Sequence, residues 1–220
     1  MFIKNFEAVL TTQFFNGVDM LTNVTVADVF RPCKRAYAGF YDVALIIGGS
    51  LFIALSAQVK LHLPFSPVPI TGQTFAVLLT GALLGSRRGS LAVLAYLIEG
   101  VAGLPVFAFG GGFAVLLGPT GGYLAGFIAA AYITGFLAER GWDRRVGKTV
   151  LAMVFGNAAI YGFGLLWLSI LTGVKGALVA GLYPFLVGDC LKIILAAVVL
   201  PAGWKLLGKM GLSFRDCPHQ

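Results

Sequence analysis

Residues 185–207 read FLVGDCLKIILAAVVLPAGWKLL, a run that is almost entirely apolar. A helix needs about 20 apolar residues to cross the hydrocarbon core of a bilayer, so this run predicts a membrane-spanning helix. Phe185–Leu207 is the last of six such stretches, and the others are Val43–Val59, Ile70–Leu84, Ser90–Leu104, Pro119–Ala138 and Thr149–Leu171. The sequence therefore predicts an all-α integral membrane protein with six transmembrane helices.

The composition supports this class. Hydrophobic residues make up 58% of the 220 residues and charged residues 11%, whereas an ordinary globular protein has roughly 45–50% and 25%. A water-soluble enzyme is therefore excluded. The net charge of +7 reports orientation and anionic lipid in a membrane protein, so we expect membrane lipid and no nucleic acid as a partner.

The basic residues fall mostly on one side of the predicted spans. Thirteen of the 16 Lys and Arg residues lie there, Lys60 and Lys175 lie on the other side, and Lys192 lies inside a span. The positive-inside rule then predicts that both termini are cytoplasmic. We expect a cytoplasmic tail or interfacial extension over residues 1–41, a six-helix membrane domain over 42–207, and a cytoplasmic tail over 208–220.

The second and third spans are short, and apolar sequence rich in Pro and Gly lies beside each. These segments are Leu63–Ile70 (LPFSPVPI) and Gly103–Gly118, and both fall on the side predicted to face outward. Irregular backbone at membrane depth is tolerated where protein buries it or where it lines a cavity. The alternative is a pair of hydrophobic loops at the membrane interface, but the pattern favours a cavity.

Ionisable residues inside spans mark candidate functional positions. Each costs roughly 2.5–3.5 kcal/mol at the membrane centre, so each normally faces a partner or a cavity. Asp189 and Lys192 are three residues apart and share one helical face, either as a self-neutralising pair or as a ligand site. Glu99 could reach the interface or pair with Lys192. Gln73 and Asn157 are uncharged amides in the second and fifth spans, suited to interhelical hydrogen bonds or to a ligand.

Signatures of catalysis and of metal binding are missing from the sequence. No His lies inside a span, and neither a phosphate-cradling loop nor an HExxH motif is present. The three cysteines lack metal-ligand spacing. We therefore assign no catalytic residue, no metal site and no cofactor.

Five motifs in order resemble the BioY family, the biotin-capturing S components of energy-coupling factor (ECF) vitamin transporters. They are SPVPITGQT (Ser66–Thr74), GALLG (Gly81–Gly85) followed by Arg87-Arg88-Gly89, GVAGLP (Gly100–Pro105), GPTGGY (Gly118–Tyr123) and GDCLK (Gly188–Lys192). The resemblance covers about residues 42–207. It implies a six-helix S-component bundle in the bacterial inner membrane that holds one biotin near the extracellular face.

The resemblance also implies partners and site residues. A transmembrane coupling subunit and cytoplasmic ATPase subunits would accompany this chain, so ATP would be used by those partners. The expected substrate-binding residues are Asp189, Lys192, Gln73, Thr120, Gly121 and Tyr123, together with Asn157. Ser50 and Ala54 fit the small-xxx-small pattern expected where the first helix docks the coupling subunit.

Other functions stay open at this point. The chain could be an S component for another vitamin, such as riboflavin or thiamine. A membrane enzyme using Glu99 and Asp189 as acid and base is a second alternative. A structural or assembly subunit without a small ligand is a third.

Overall fold

The structure of the protein is a computed structural model, and it describes residues 24–61 and 63–211. Over these residues the chain forms eight α-helices, a 3₁₀ turn and a two-stranded antiparallel hairpin. The elements, in order, are α1 (Val26–Val29), α2 (Arg35–Gln58), β1 (Lys60–Leu61), β2 (Ile70–Thr71), α3 (Gln73–Leu84), α4 (Ser86–Val101), α5 (Ala114–Leu117), α6 (Gly121–Glu139), the 3₁₀ turn (Trp142–Arg144), α7 (Val146–Gly181) and α8 (Tyr183–Lys209).

Among the described residues, four helices are long and apolar enough to cross a membrane: α2, α6, α7 and α8. Helices α3 and α4 lie where two further spans were predicted, but they have 12 and 16 residues. At 1.5 Å per residue they measure about 18 and 24 Å, less than the roughly 30 Å of a hydrocarbon core. Four of the six predicted spans are therefore confirmed by length and composition.

The short helices α3 and α4 turn back on each other at Gly85. Gly85 has a φ of +89°, a conformation that favours glycine, and a Cβ there would lie 2.8 Å from Glu139 Oε1. Glu139 accepts hydrogen bonds from the backbone N–H of Ser86 at 2.7 Å and from its hydroxyl at 2.8 Å. The carboxylate thereby caps the first turn of α4 and joins it to α6.

Ion pairs hold the same end of the bundle together, which we call the basic end. Arg88 of α4 pairs with Asp28 and Asp42, each at 2.8 Å, and Arg31 pairs with Asp42 at 2.7 Å. Because Asp42 belongs to α2, the boundary expected between residues 41 and 42 falls inside a helix. Residues 1–23 of the predicted N-terminal extension and the tail beyond residue 211 lie outside the described residues.

Small residues let the long helices approach closely. A Cβ on Gly122 of α6 would lie 2.3 Å from the Cβ of Trp167 of α7, and one on Gly81 of α3 would lie 2.5 Å from the carbonyl oxygen of Ala131 of α6. Close backbone approach at Gly and Ala is the usual way helices pack in membranes. Helix α6 thus occupies the centre of the bundle, between α3 and α7.

The opposite end, which we call the loop end, carries the hairpin, the segment 102–120 and the end of α7. The Ser66 hydroxyl donates a hydrogen bond to the Ala180 carbonyl at 2.7 Å, which ties the hairpin loop to α7. Helix α7 contains a non-helical residue, Gly173, with a φ of +76°. The sequence predicted a span ending at Leu171, and the chain continues as helix beyond this break.

Asp143 is a buried carboxyl group at the basic end, 2% exposed. It accepts a hydrogen bond from the Trp204 indole N–H at 2.5 Å, joining the 3₁₀ turn to α8. Burial raises the pKa of Asp143 from 3.8 to about 6, against the opposing effects of the Trp204 bond and Arg144. The folded protein therefore holds this proton more tightly than the unfolded chain does.

We predict that Asp143→Asn removes a pH dependence of stability. The stability contributed by the neutral carboxyl group should be present near pH 4 and lost as the pH rises through about 6. Between pH 4 and pH 8, the unfolding free energy of the original protein should fall by roughly 2–3 kcal/mol relative to that of Asp143→Asn. Chemical unfolding in mild detergent at the two pH values measures it, and parallel pH profiles would contradict the assignment.

Candidate functional site

A cavity lies at the loop end, between the loops and helices α3, α6, α7 and α8. Val68 and Pro69 of the hairpin loop and Phe107 and Ala108 of the segment 102–120 form part of its wall. Both interrupted segments therefore line a cavity, as the sequence favoured. The polar residues of the wall are Thr71, Gln73, Thr74, Thr120, Tyr123, Tyr161, Asp189 and Lys192.

The start of helix α8 determines how far from the loop end Asp189 and Lys192 lie. Helix α8 begins at Tyr183 with Pro184 in its first turn, a position that suits proline because no intrahelical N–H bond is needed there. Asp189 and Lys192 then lie roughly 9 and 14 Å along the helix axis. Both side chains face the cavity, and Asp189 is only 5% exposed.

Asp189 and Lys192 belong to a four-residue polar network that joins three helices. The Lys192 ammonium donates to Asp189 Oδ1 at 3.1 Å and to the Thr74 hydroxyl of α3 at 2.7 Å. The Tyr161 hydroxyl of α7 donates to Asp189 Oδ2. An ammonium has three N–H donors, so Lys192 keeps one for a ligand while its pair with Asp189 remains neutral overall.

Gln73 belongs to a second network that holds the loop above the cavity. Its Oε1 accepts from the Thr71 hydroxyl at 3.0 Å, and its Nε2 donates to the Tyr96 hydroxyl at 2.5 Å. Tyr96, which is fully buried, donates in turn to the Val106 carbonyl at 3.2 Å. Gln73 thus lines the cavity as expected, but most of its hydrogen-bonding capacity positions the segment 102–120.

Side-chain packing and two further hydrogen bonds fix the segment 102–120. The Phe107 ring meets the Tyr96 ring edge-on, with centroids 5.4 Å apart, and it fills the space beside Gly100, where a Cβ would lie 2.0 Å from the ring. Lys60 donates to the Ala108 carbonyl at 2.6 Å, and Gln58 donates to the Pro105 carbonyl at 3.3 Å. The segment therefore closes the cavity as a lid.

The start of α6 contributes unequally to the site. Thr120 lines the cavity and makes no side-chain capping bond. Gly121 is buried beside the Leu116 carbonyl, where a Cβ would lie 1.8 Å from the oxygen, so its role is close packing. The Tyr123 ring lines the cavity, while its hydroxyl donates to the Gly181 carbonyl at 2.9 Å.

Other expected residues lie away from the cavity. Asn157 is buried one helical turn from Tyr161, and its Oδ1 has no hydrogen-bond partner among the described residues. Glu99 accepts a hydrogen bond from Ser50 at 2.6 Å, whereas Lys192 bonds Thr74 and Asp189, so the alternative in which Glu99 pairs with Lys192 is not formed. Ser50 and Ala54 are 0% and 8% exposed. Contrary to the expectation for a docking surface, they face the interior, and their docking role stays a prediction.

Three residues join the site that the sequence did not single out for these roles. Thr74 closes the SPVPITGQT motif one residue after Gln73, and this position is a signal that could have found it. Tyr161 lies in an apolar span without a distinguishing motif, yet its hydroxyl binds Asp189. Tyr96 lies in another apolar span, and it connects Gln73 to the lid.

The cavity is narrow in this conformation. Its volume is about 50 Å³, and one water needs about 10–15 Å³. A few waters fit, so a larger ligand has to displace the lid or the wall. Within residues 24–61 and 63–211, no group of three or more His, Cys, Asp or Glu side chains could hold a metal ion.

Fold and site together define a multi-pass membrane protein with a small, lidded binding cavity that contains a neutralised acid–base pair. Residues 27–209 match the BioY family. The chain is 36% identical to the biotin transporter BioY of Rhizobium etli, covering 68% of this chain and 85% of that protein. It is 40% identical to a probable biotin transporter BioY of Pyrococcus horikoshii, covering 72% and 93%.

A solved structure shows the same fold. The crystal structure of the S-component for biotin from an ECF-type ABC transporter superposes with a TM-score of 0.66 at 29% identity, covering 80% of this chain and 97% of that chain. This chain therefore belongs to the BioY family.

We predict that Tyr96→Phe loosens the lid while preserving its packing. The ring contact with Phe107 remains, but the hydrogen bonds to Gln73 and Val106 are lost. Amide hydrogen exchange of residues 103–112 should accelerate several-fold, because local opening costs less free energy. Tyr132→Phe, at a half-exposed tyrosine of α6, is the control. Equal exchange in all three proteins would show that Tyr96 does not hold the lid.

Proposed function

We propose that the protein captures biotin in this cavity as the substrate-binding subunit of an ECF-type transporter in the inner membrane. The observation that carries the proposal is the Asp189–Lys192 pair at the cavity wall of a chain that belongs to the BioY family. The relatives and the solved structure described above are named for biotin. Transport rather than catalysis is therefore the activity of this family.

The chemistry of the cavity suits such a ligand. Biotin has an apolar bicycle and chain, two ureido N–H donors, a ureido carbonyl and a carboxylate. A mostly apolar cavity with a few convergent polar groups fits that distribution. Asp189 can accept a ureido N–H, and the free donor of Lys192 can bind the ureido oxygen or the carboxylate. Thr120, Tyr123 and Gln73 supply further wall contacts.

The loop end faces outward in our proposal. Helix α2 starts and α8 ends at the basic end, and most of the Lys and Arg residues fall on that side of the predicted spans. The positive-inside rule makes that side cytoplasmic. Six helices would then reach across the membrane, α3 and α4 spanning it only with the loops that continue them. Biotin would enter from outside through the lid.

The proposed partners are a transmembrane coupling subunit and cytoplasmic ATPase subunits, which would use the ATP. Because Ser50 and Ala54 are buried, we propose that the coupling subunit contacts the exposed face of α2 beside them. Ala44 and Gly48 are exposed there and repeat the small-xxx-small spacing. A Cβ on Gly48 would meet nothing within 4 Å.

We predict that Asp189→Asn and Lys192→Gln each weaken biotin binding by roughly 10- to 100-fold, the range expected for one hydrogen bond to a charged group. Tyr161→Phe should weaken it less, because the carboxylate stays but loses one of its positioning bonds. Calorimetry on the purified protein measures the affinities. Glu99→Gln is the control, because Glu99 is an intramembrane carboxyl group bonded to Ser50 outside the cavity.

A single substitution can destabilise the protein by leaving one buried charge unpaired. The double variant Asp189→Asn with Lys192→Gln removes both charges and should fold, yet bind biotin poorly. Normal binding by both single variants would make the pair purely structural. Nanomolar binding of riboflavin or thiamine without biotin binding would overturn the choice of vitamin. Turnover of a substrate that Asp189→Asn abolishes would favour the enzyme alternative.

We predict that Gly48→Leu prevents assembly with the coupling subunit while leaving biotin affinity unchanged. The added side chain projects from the exposed face of α2 and keeps a partner helix from approaching closely. Co-purification of the coupling subunit with tagged protein measures it. Gly203→Leu on α8 is the control, because that glycine also has nothing within 4 Å of its Cβ position. Unimpaired assembly of Gly48→Leu would place docking elsewhere.

A further inference from the structure

A groove separate from the ligand cavity lies on the outer side of α7. At Gly173 the backbone leaves helical geometry, with φ +76° and ψ 160°. The chain then folds back, so that a Cβ on Gly181 would lie 2.6 Å from Leu168. Between the two arms of α7 lies a groove of about 490 Å³.

The groove has the shape and lining of a hydrocarbon site. Its walls come from the face of α7 between Tyr161 and Ser169, about 12 Å of helix at 1.5 Å per residue. Leu165, Leu166, Val174 and Leu178 line it as well. The Ser169 hydroxyl is already bonded to the Leu166 carbonyl at 2.8 Å. The groove therefore offers apolar surface and no free hydroxyl donor.

Glycine and exposure keep the groove open to the bilayer. Gly162 lies in its wall, and a Cβ there would meet nothing within 4 Å. Leu166 and Val174 are 70% and 69% exposed. Helix α7 is long and apolar enough to cross a membrane, and in a membrane these surfaces would face hydrocarbon rather than water. An acyl chain is the apolar group that the surrounding bilayer supplies.

A basic residue, Lys175, lies beside the groove at the loop end. Lys175 is exposed and follows Val174 on the same turn of the folded-back arm. A basic side chain at the membrane surface attracts lipid phosphate. The groove and Lys175 thus match two parts of one molecule, an acyl chain and the phosphate that follows it.

We propose that this groove binds one acyl chain of a phospholipid whose phosphate pairs with Lys175. The Tyr161 ring is shared by the groove and the ligand cavity, and its hydroxyl binds Asp189. The bound chain packs on the outer side of that ring and supports the Tyr161–Asp189 bond. Only this last consequence rests on the proposed function.

Photolabelling in nanodiscs tests the site. The full chain is placed in phosphatidylcholine nanodiscs that contain phosphatidylglycerol with a diazirine in one acyl chain, and labelled peptides are mapped by mass spectrometry. We expect labelling of residues 161–178 to exceed that of the equally exposed apolar face of α8 around Leu191 and Val198 several-fold. Gly162→Leu fills the groove and should lower this labelling several-fold, leaving that of α8 unchanged.

Two further variants complete the test. Gly147→Leu lies on the same helix at the basic end, also with nothing within 4 Å of its Cβ position, and should label like the original protein. Lys175→Glu should lower the amount of phosphatidylglycerol retained through detergent extraction by roughly fivefold or more. Native mass spectrometry measures that retention.

The proposal is overturned if residues 161–178 label no more than α8 does, or if Gly162→Leu leaves their labelling unchanged. It is also overturned if Gly162→Leu blocks co-purification of the coupling subunit without changing the labelling, because the groove would then receive a protein helix. Labelling needs no biotin, so failure of the lipid site is distinguishable from failure of biotin capture, which calorimetry reports separately.

Discussion

The pairing of Asp189 with Lys192 inside α8 is the interaction on which the rest of the site depends. Either charge alone costs roughly 2.5–3.5 kcal/mol at the membrane centre, and removing one partner of a buried pair is more costly than never having the pair. Tyr161 and Thr74 complete the hydrogen bonding of the two charges. The network therefore fixes the rotation of α8 against α7 and α3, and this rotation decides which side chains face the cavity.

The lid is subject to a second constraint, because its irregular backbone has to be hydrogen-bonded. Helices α3 and α4 are too short to span the hydrocarbon core by themselves, so irregular backbone continues them at the loop end, and its N–H and C=O groups need partners. Side chains supply part of them: Tyr96 bonds the Val106 carbonyl and Lys60 bonds the Ala108 carbonyl. Because Tyr96 also binds Gln73, the lid is connected to a residue of the cavity wall, so displacement of the lid by a ligand disturbs both.

Sequence patterns predicted the features that depend on one helix or one segment. The spacing of Asp189 and Lys192 places them on one helical face, and the interrupted segments beside the short spans indicated the cavity. The patterns failed where the result depends on how helices rotate against each other. The Ser50–Glu99 bond needs a particular rotation of α2 against α4, and the residue pattern of neither helix specifies that rotation. Tyr161 was not recognised because the sequence pattern around an aromatic residue in an apolar span does not show whether its side chain faces lipid or a carboxylate.

The hydrogen bonding within the cavity wall affects the release of a ligand as much as its binding. A capture subunit has to give up its ligand, and leaving buried Asp189 and Lys192 unpaired would oppose release by the cost of unsatisfied charged groups. In this structure the two charges satisfy each other, with Tyr161 and Thr74 as further partners. The protein itself thus satisfies both charges, and a ligand gains only the difference between its bonds and these. High affinity then requires apolar burial over the cavity wall, because the polar network supplies orientation more than net binding free energy.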